Sequence, residues 1–593
     1  MREIHPSRVD CDFTAPASKA HTLRALFIAA LARGKSRIVN ALDADDQKRA
    51  ATALSMLGAK IKFDGKNFEV EGTGGKLIAP KEKLFVGNSG VTARFLAPIC
   101  GLAQGDSTID GDERMRKRPI SDLLDSLAKV GLDAKCDGCP PVRVRGKTFI
   151  GGETTVLGSK SSQYLSAMLL AAPLCEKGIL VRVEGELKSA PYVGITLECM
   201  RKFGAEVVSH DGKEFFVRGK QGYKAAEFVV EGDYSSASYF FAAAAITKGR
   251  ARVKNLNPHS IQADKFFLDC LARMGCKIYY GKDFAEVRGA KLKGIDVDMG
   301  NAPDVVPTLA VVAAFAFGKT RITNVAHLAI KESNRLESVA SNLRACGVDA
   351  KAGDDFLEIV GGGAHGAEIE TFSDHRIAMA FSAMGLAVPG IFIKNPEVVS
   401  KSFPGFFDEL SKAYSKGEEG SPANIALIGF RGTGKTAIGK ILAKRLNMKF
   451  VDTDKEVVRL AGKSVAQIFA QQGEPTFREL EKEVVDRASG MENTLISCGG
   501  GVVLFKENIE NLKRNSTVIL LESDAKSIYA RIKGNRKRPA LTDKKGIDEV
   551  RHLLAQREGL YVGAADFFVD TSNDSLNGCA QKIIDMLYKR GLI

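Results

Sequence analysis

The sequence contains no tryptophan, no long lysine or arginine run, and no basic stripe interleaved with aromatic residues. Those absences argue against a nucleic-acid surface, although the formal net charge is +14 and the isoelectric point is about 9.1. Long apolar runs are also missing. Stretches such as "TLAVVAAFAFG" fall well short of the roughly 18 residues of a membrane span. The opening "MREIHPSRVDCDF" has no apolar run between a basic region and a small-residue cleavage site, so a soluble cytoplasmic chain with no membrane partner is expected. The eleven cysteines form only one close pair, Cys136 and Cys139 in "CDGC". Without a second pair or a nearby histidine, that pair makes no zinc site, and reduced structural thiols are expected. Hydrophobic residues at 45% and charged residues at 26% are ordinary globular values. The surplus of cations therefore needs another outlet, and pockets for small anions are the alternative that the motifs test.

What the sequence does have is repetition. Six apolar, helix-like stretches each lead through a glycine into a β-like run, from "LRALFIAALARGKSRIVN" to "RIAMAFSAMGLAVPGIFIKN". The glycines are Gly34, Gly105, Gly178, Gly249, Gly318 and Gly390, a period of roughly 70 residues. A second marker keeps step in "SMLGAKI", "AKVGLDA", "RKFGAEV", "ARMGCKI" and "RACGVDA". Glycine is suited to the left-handed position that ends a helix, and the β-branched residues after it start a strand, so the unit is helix, strand, helix, strand. That period is too long for common solenoids and fits compact α/β units. The segments ahead of the apolar helices, such as "PASKAHT", "GNSGVT", "SKSSQ" and "FSDHR", are rich in capping residues, and several add a cation. Helix N-termini attract anions, so six of them converging would form a cleft for a polyanionic ligand.

Beyond that pattern, "PASKAHTLRAL", "LFVGNSGVTARFLA", "GDERMRKRPISDLLDSL", "SKSSQYLSAMLLAAPL", "LKSAPYVGITLECM", "VEGDYSSASYF", "IKESNRLE", "DHRIAMA" and "KSFPGFF" resemble, in order, the 5-enolpyruvylshikimate-3-phosphate synthase family. The resemblance implies a two-lobed α/β fold of six repeated units over residues 1–410. The lobes would be about 1–12 plus 232–410, and 13–231. It also implies transfer of the enolpyruvyl group of phosphoenolpyruvate to the 5-hydroxyl of shikimate 3-phosphate, with release of phosphate and no cofactor. By matching position, Lys19, Gly90, Arg114, Arg335, Arg376 and Lys401 correspond to the phosphoenolpyruvate cradle, where a planar guanidinium can bind an anion through two hydrogen bonds. Arg24, Ser161, Ser162, Gln163, Ser189 and Lys331 correspond to the shikimate 3-phosphate contacts. Asp304 matches the group that takes the 5-hydroxyl proton, and Glu332 the acid that protonates the methylene carbon. Two carboxylates in different surroundings can hold opposite protonation states. The chain departs from the family at two substrate-side positions: Ala20 stands where a serine is usual, and His327 where asparagine is frequent. The loop "GDERMRKRP" has no cysteine, which argues against the related transferase acting on UDP-N-acetylglucosamine.

Residues 410–426, "LSKAYSKGEEGSPANIA", lose the repeat, and 411–422 are expected to be a linker. The strand-like "NIALIGF", the loop "GFRGTGKT" and the helical "AIGKILAKRL" then follow. Strand, G-x-x-x-x-G-K-T and helix in that order make a P-loop: backbone amides cradle phosphates, Lys435 reaches the outer ones, and Thr436 ligates magnesium. A GTPase, an ATPase and a small-molecule kinase all satisfy that motif. "FVDTD", "FRELE", "SCGGGVV", "RKRPAL" and "REGLY" resemble shikimate kinase over 423–593, which implies a parallel sheet flanked by helices and ATP with Mg²⁺. By matching position, Gly429, Gly432, Thr433, Gly434, Lys435, Thr436, Ala437, Arg531 and Arg538 correspond to the nucleotide side. Thr436 and Asp452 correspond to the metal site. Asp454 would meet the attacking shikimate hydroxyl, Arg478 and Arg557 its carboxylate, and Gly499, Gly500 and Gly501 the ring. The two resemblances imply consecutive steps of aromatic amino-acid synthesis; one half serving only as a scaffold or regulatory module is the alternative.

Overall fold

The computed structural model describes residues 1–413, 424–533, 546–572 and 574–589. It divides into two compact units, Met1–Ser415 and Lys416–Ile593. No helix among the described residues is long and apolar enough to cross a membrane.

In the first unit the sequence period becomes a structural one. Of its six small sheets, five are four-stranded and share one pairing scheme, while the last has three strands, Ile391–Ile393 lying between Glu368–Ile369 and Arg2–Ile4. The scheme is shown by the strands Asp296–Asp298, Lys319–Thr323, Asp349–Ala352 and Phe356–Val360. The first lies parallel to the second, the second antiparallel to the fourth, and the fourth antiparallel to the third. One apolar helix belongs to each unit: Lys19–Leu31, Gly90–Cys100, Ser162–Ala171, Tyr234–Ile246, Val306–Ala313 and His375–Gly385. They are buried almost all round; every residue of Tyr234–Ile246 is inside, as expected of helices apolar on all faces. Five of the six closing glycines have positive φ, between +74° and +107°. At the sixth, Lys248 takes the left-handed conformation (φ 53°), and Gly249 is required because a Cβ there would lie 1.9 Å from the Val9 carbonyl oxygen.

Two separate cores organise these units. One joins residues 4–15 to 234–413, and the other holds residues between Ala17 and Val230. The first crossing thus falls between Ala15 and Ala17, a few residues beyond the expected Asp12. The reason is the strand Asp10–Thr14, whose alternate residues Cys11 and Phe13 face the first core, with Phe13 stacked on Phe240 at 3.9 Å. The return falls between Val230 and Tyr234. Likewise residues 411–413 are not linker: the helix Phe406–Lys412 and the buried Ala413 complete the first core. Residues 414–422 of the expected linker lie outside the described residues.

The second unit is a five-stranded, all-parallel sheet in the order Lys449–Asp452, Thr494–Ser497, Asn424–Ile428, Ser516–Glu522 and Phe567–Asp570. Chain order reverses at the central strand Asn424–Ile428, so the crevice beyond its carboxyl end is the place for a ligand. The P-loop runs from there into the helix Lys435–Arg445. The long segment Val465–Ser489 is two helices broken at Gly473, where φ is 81° and ψ 166°.

Candidate functional site

Helix starts do converge on one cleft in the first unit. Ser18 and Asp233 cap two of the apolar helices, and Asp233 Oδ2 also accepts the Lys19 backbone N–H at 2.9 Å. Lys19, Ala20, Arg24, Ser162, Gln163, Ser189, Asp304, Lys331, Glu332, Arg335 and Arg376, all named from the sequence, line this cleft. Ser161 stands behind it as an N-cap, accepting from the Gln163 amide at 3.3 Å. Gly90 and Lys401 lie just outside the lining. A Cβ on Gly90 would be 2.7 Å from the Arg118 guanidinium carbon, and Lys401 Nζ is 3.3 Å from Glu332 Oε1.

Arg335 is the hub. It is 1% exposed and donates to Asp374 Oδ2 at 2.8 Å, Asp304 Oδ1 at 3.0 Å and Glu332 Oε2 at 2.8 Å. Arg376 reaches the other Asp304 oxygen at 2.6 Å. Burial alone would raise the Asp304 carboxyl, but Arg376, Arg335 and Lys331 outweigh it and hold the group well below the carboxylate range. Glu332 is depressed in the same way: Lys401, Arg335 and Arg118 overcome its burial. The opposite protonation states expected from the sequence are therefore not set by the protein's own groups, which hold both carboxylates ionised. His327 is buried and kept neutral, pushed down to about 3 by desolvation and by Lys331.

The arginine assigned from "GDERMRKRP" needs correction. Arg114 turns to backbone, donating to the Glu332 and Lys331 carbonyls, and does not line the cleft. Arg118 does line it: 4% exposed, it donates to the Asn88 carbonyl at 3.2 Å and lies 3.7 Å from Glu332. Four cations within five residues hide that choice from the sequence, and only the short 3₁₀ turn Met115–Lys117 separates them in space. Asp374, Tyr192 and Asp264 were also missed. Asp374 had a signal, as the helix cap in "FSDHR"; Asp264 had none.

In the second unit two cavities share Arg431, Asp454 and Gly500. The larger is lined by Gly432, Gly434, Lys435, Thr436, Ala437, Asp452 and Arg531. Lys435 Nζ donates to the Gly429 and Phe430 carbonyls at 2.7 and 2.8 Å, and Thr433 Oγ1 to Phe430 at 2.8 Å, tying the loop back on itself. Thr436 Oγ1 donates to Asp452 Oδ2 at 2.8 Å, which brings two hard oxygen ligands together. The smaller cavity is lined by Asp454, Arg478, Gly501, Arg557 and the rings of Phe469 and Phe477. Arg478 is held by Glu474 at 2.7 Å and Glu481 at 2.8 Å; Arg557 donates to the Gly500 carbonyl at 3.1 Å. A Cβ on Gly499 would lie 2.7 Å from Asp454 Oδ1, and one on Gly501 2.2 Å from Arg478 Nη1. Arg538 lies outside the described residues.

Comparison with known proteins agrees with this geometry. Residues 4–410 match the family model for EPSP synthase (3-phosphoshikimate 1-carboxyvinyltransferase), and residues 431–588 the model for shikimate kinase. A 3-phosphoshikimate 1-carboxyvinyltransferase of Aeromonas salmonicida is 43% identical over 414 residues, covering 68% of this chain and 96% of the relative. One of Methanospirillum hungatei is 41% identical over 410 residues, covering 68% and 95%. Among solved structures, EPSP synthase of Acinetobacter baumannii superposes with a TM-score of 0.60 at 27% identity, over 70% of this chain and 98% of that one. The chain belongs to the EPSP synthase family and carries a shikimate kinase domain behind it.

Proposed function

We propose that this bifunctional shikimate-pathway enzyme divides its work as follows. The second unit transfers the γ-phosphoryl group of ATP to the 3-hydroxyl of shikimate. The first joins that product to phosphoenolpyruvate and releases phosphate. The observation that carries this reading is the set of cations at one cleft: Lys19, Arg118, Arg335 and Arg376 line it beside Asp304 and Glu332, and Lys401 reaches Glu332 from just outside the lining. Both substrates of the synthase step are phosphorylated carboxylates, and a cation-rich cleft is the complement they need. A scaffold would gain little from such a cluster, since buried ion pairs are often no more stabilising than well-packed hydrophobic residues of similar volume.

The same cluster supplies a mechanism. Arg335 and Arg376 spend their donors on Asp304 and Glu332 until substrate anions compete for them. Each anion that neutralises a cation beside Glu332 raises that carboxyl's affinity for a proton, so binding itself prepares the acid. Asp304 accepts the 5-hydroxyl proton while Glu332 protonates the methylene carbon.

In the kinase unit, shikimate sits in the smaller cavity with its carboxylate toward Arg478 and Arg557, and Asp454, common to both cavities, meets the hydroxyl. Thr436 and Asp452 fit a magnesium ion, which needs few protein oxygens when phosphates complete its shell, and bound there it would neutralise phosphate charge. The test is one coupled assay: the chain with shikimate, ATP, Mg²⁺ and phosphoenolpyruvate should release inorganic phosphate, and Glu332→Gln should slow this by about 10² to 10⁴ without affecting ADP formation. Phosphate release that needs no shikimate, or an unaffected variant, would overturn the assignment.

A further inference from the structure

A buried carboxyl in the synthase cleft has no part in the scheme above. Asp264 sits in the 3₁₀ turn Ala263–Lys265, is 6% exposed and lines the cleft. Its Oδ1 is buried without a hydrogen-bond partner. Its Oδ2 is 3.1 Å from the Tyr192 hydroxyl, and that hydroxyl is 3.2 Å from Asp304 Oδ2. One phenol hydrogen can serve only one carboxylate at a time, so both contacts are hydrogen bonds only when a second proton sits on one of the two carboxyls. Asp304, Tyr192 and Asp264 thus form a chain with room for one more proton than tyrosine supplies.

We propose that Tyr192 and Asp264 relay the proton taken by Asp304, with Asp264 holding it until phosphate leaves. This rests on the reading of Asp304 as the base. In the addition half, the substrate O–H breaks and an O–H forms on Asp304. Asp304 then passes its proton to the Tyr192 oxygen while the phenol hydrogen moves to Asp264 Oδ2. In the elimination half the reverse path delivers the proton to an oxygen of the departing phosphate, and the enzyme ends as it began. Nothing is oxidised or reduced.

The surroundings give the relay its direction. Asp304, crowded by cations, binds a proton weakly. Asp264 is pushed up to about 7, first by burial and then by the charge of Asp304. The charged and titratable groups facing it are Asp304, Arg376, Asp233 and Tyr192; Arg376 opposes the rise and Asp233 adds to it. Tyr192 itself is held well above its ordinary range by burial, so it conducts as a phenol. Lys265, next in the turn, points away and donates to the Pro258 carbonyl.

The test uses the full chain with shikimate 3-phosphate and phosphoenolpyruvate supplied. Wild-type kcat should fall as pH drops below about 7, because Asp264 is then already protonated. Asp264→Asn and Tyr192→Phe should each lower kcat by about tenfold or more, leave both KM values nearly unchanged, and abolish that acid limb. The double variant should be no worse than either single one, as expected for residues acting in series. Tyr192→Phe carries the test if Asp264→Asn fails to fold. Wild-type kcat with the acid limb retained in the variants would overturn the relay. Asp304→Asn separates the two readings: if it is inactive while Asp264→Asn is normal, only the relay fails; if it keeps its rate, Asp304 is not the base.

Discussion

Ala20 lies in the first turn of the helix Lys19–Leu31 and faces the cleft, where family members usually present a hydroxyl. Its neighbours do not replace that group. His21 points inward, 2% exposed, with Nδ1 3.0 Å from Ser18 Oγ and Nε2 between Glu198 and Glu231. Thr22 donates to the Ser18 carbonyl at 2.8 Å and accepts the Leu42 amide at 3.2 Å. A hydrogen bond to a charged group is worth about 1.5–3 kcal/mol, a neutral one about 0.5–1.5. Ala20→Ser should therefore tighten shikimate 3-phosphate by about threefold to tenfold, since 1.4 kcal/mol is one decade, and phosphoenolpyruvate much less. Dissociation constants measured by calorimetry for both substrates check this. Equal or weaker binding of shikimate 3-phosphate in the serine variant would mean that the site has been rebuilt around alanine. At this scale the sequence was legible wherever a residue type sits in an ordered motif. Arg335, Asp304 and Glu332, which the structure brings together at the cleft, were named that way. It was not legible where the choice lay between neighbours of one charge, as with Arg114 and Arg118, or where a residue acts only through space, as with Asp264.

Elements obey a looser code. The apolar helices and their closing glycines were evident because a helix buried on all sides needs a continuous apolar run and a residue free to turn out of it. Strand pairing was not evident, because pairing partners can lie hundreds of residues apart. In the kinase unit the loop after the strand Thr494–Ser497 shows how closely elements can be fitted. Gly501 has φ of −104°, a conformation any residue adopts, so its requirement is space rather than backbone freedom. The space is taken by Arg478, 8% exposed and gripped by Glu474 and Glu481. Gly501→Ala should displace that guanidinium and raise the dissociation constant of shikimate by about tenfold, the cost of losing roughly one charge-assisted hydrogen bond. ATP, bound at the P-loop cavity, should be held as before. Fluorescence titration with each ligand separates the two, and unchanged shikimate affinity would show that Arg478 is not a carboxylate ligand.

At the scale of the whole chain, the first unit is closed by exchange. The strand Asp10–Thr14, ahead of the first crossing, pairs with Arg250–Lys254 beyond the second. Glu227–Val229, ahead of the second, pairs with Arg33–Val39 beyond the first. Arg2–Ile4 pairs with Ile391–Ile393 to complete the last sheet. Each of the two cores is thereby sewn from stretches distant in the sequence. Among the described residues, the sheet of the second unit is built wholly from residues after 423. Separate cores predict separable activities. Lys435→Ala removes the cation at the phosphates and should abolish ADP formation with shikimate, yet leave the synthase reaction with supplied shikimate 3-phosphate within about twofold of wild type. Glu332→Gln should do the reverse. Mixed in equal amounts, the two variants then ask whether one chain must do both steps. A tether raises local concentration to roughly millimolar over short spans, but a small product still escapes to solvent unless it is enclosed. We expect the mixture to convert shikimate to enolpyruvyl product at a steady rate close to that of an equal number of intact active sites. A large deficit that persists after the intermediate has accumulated would mean that the two units hand it over directly.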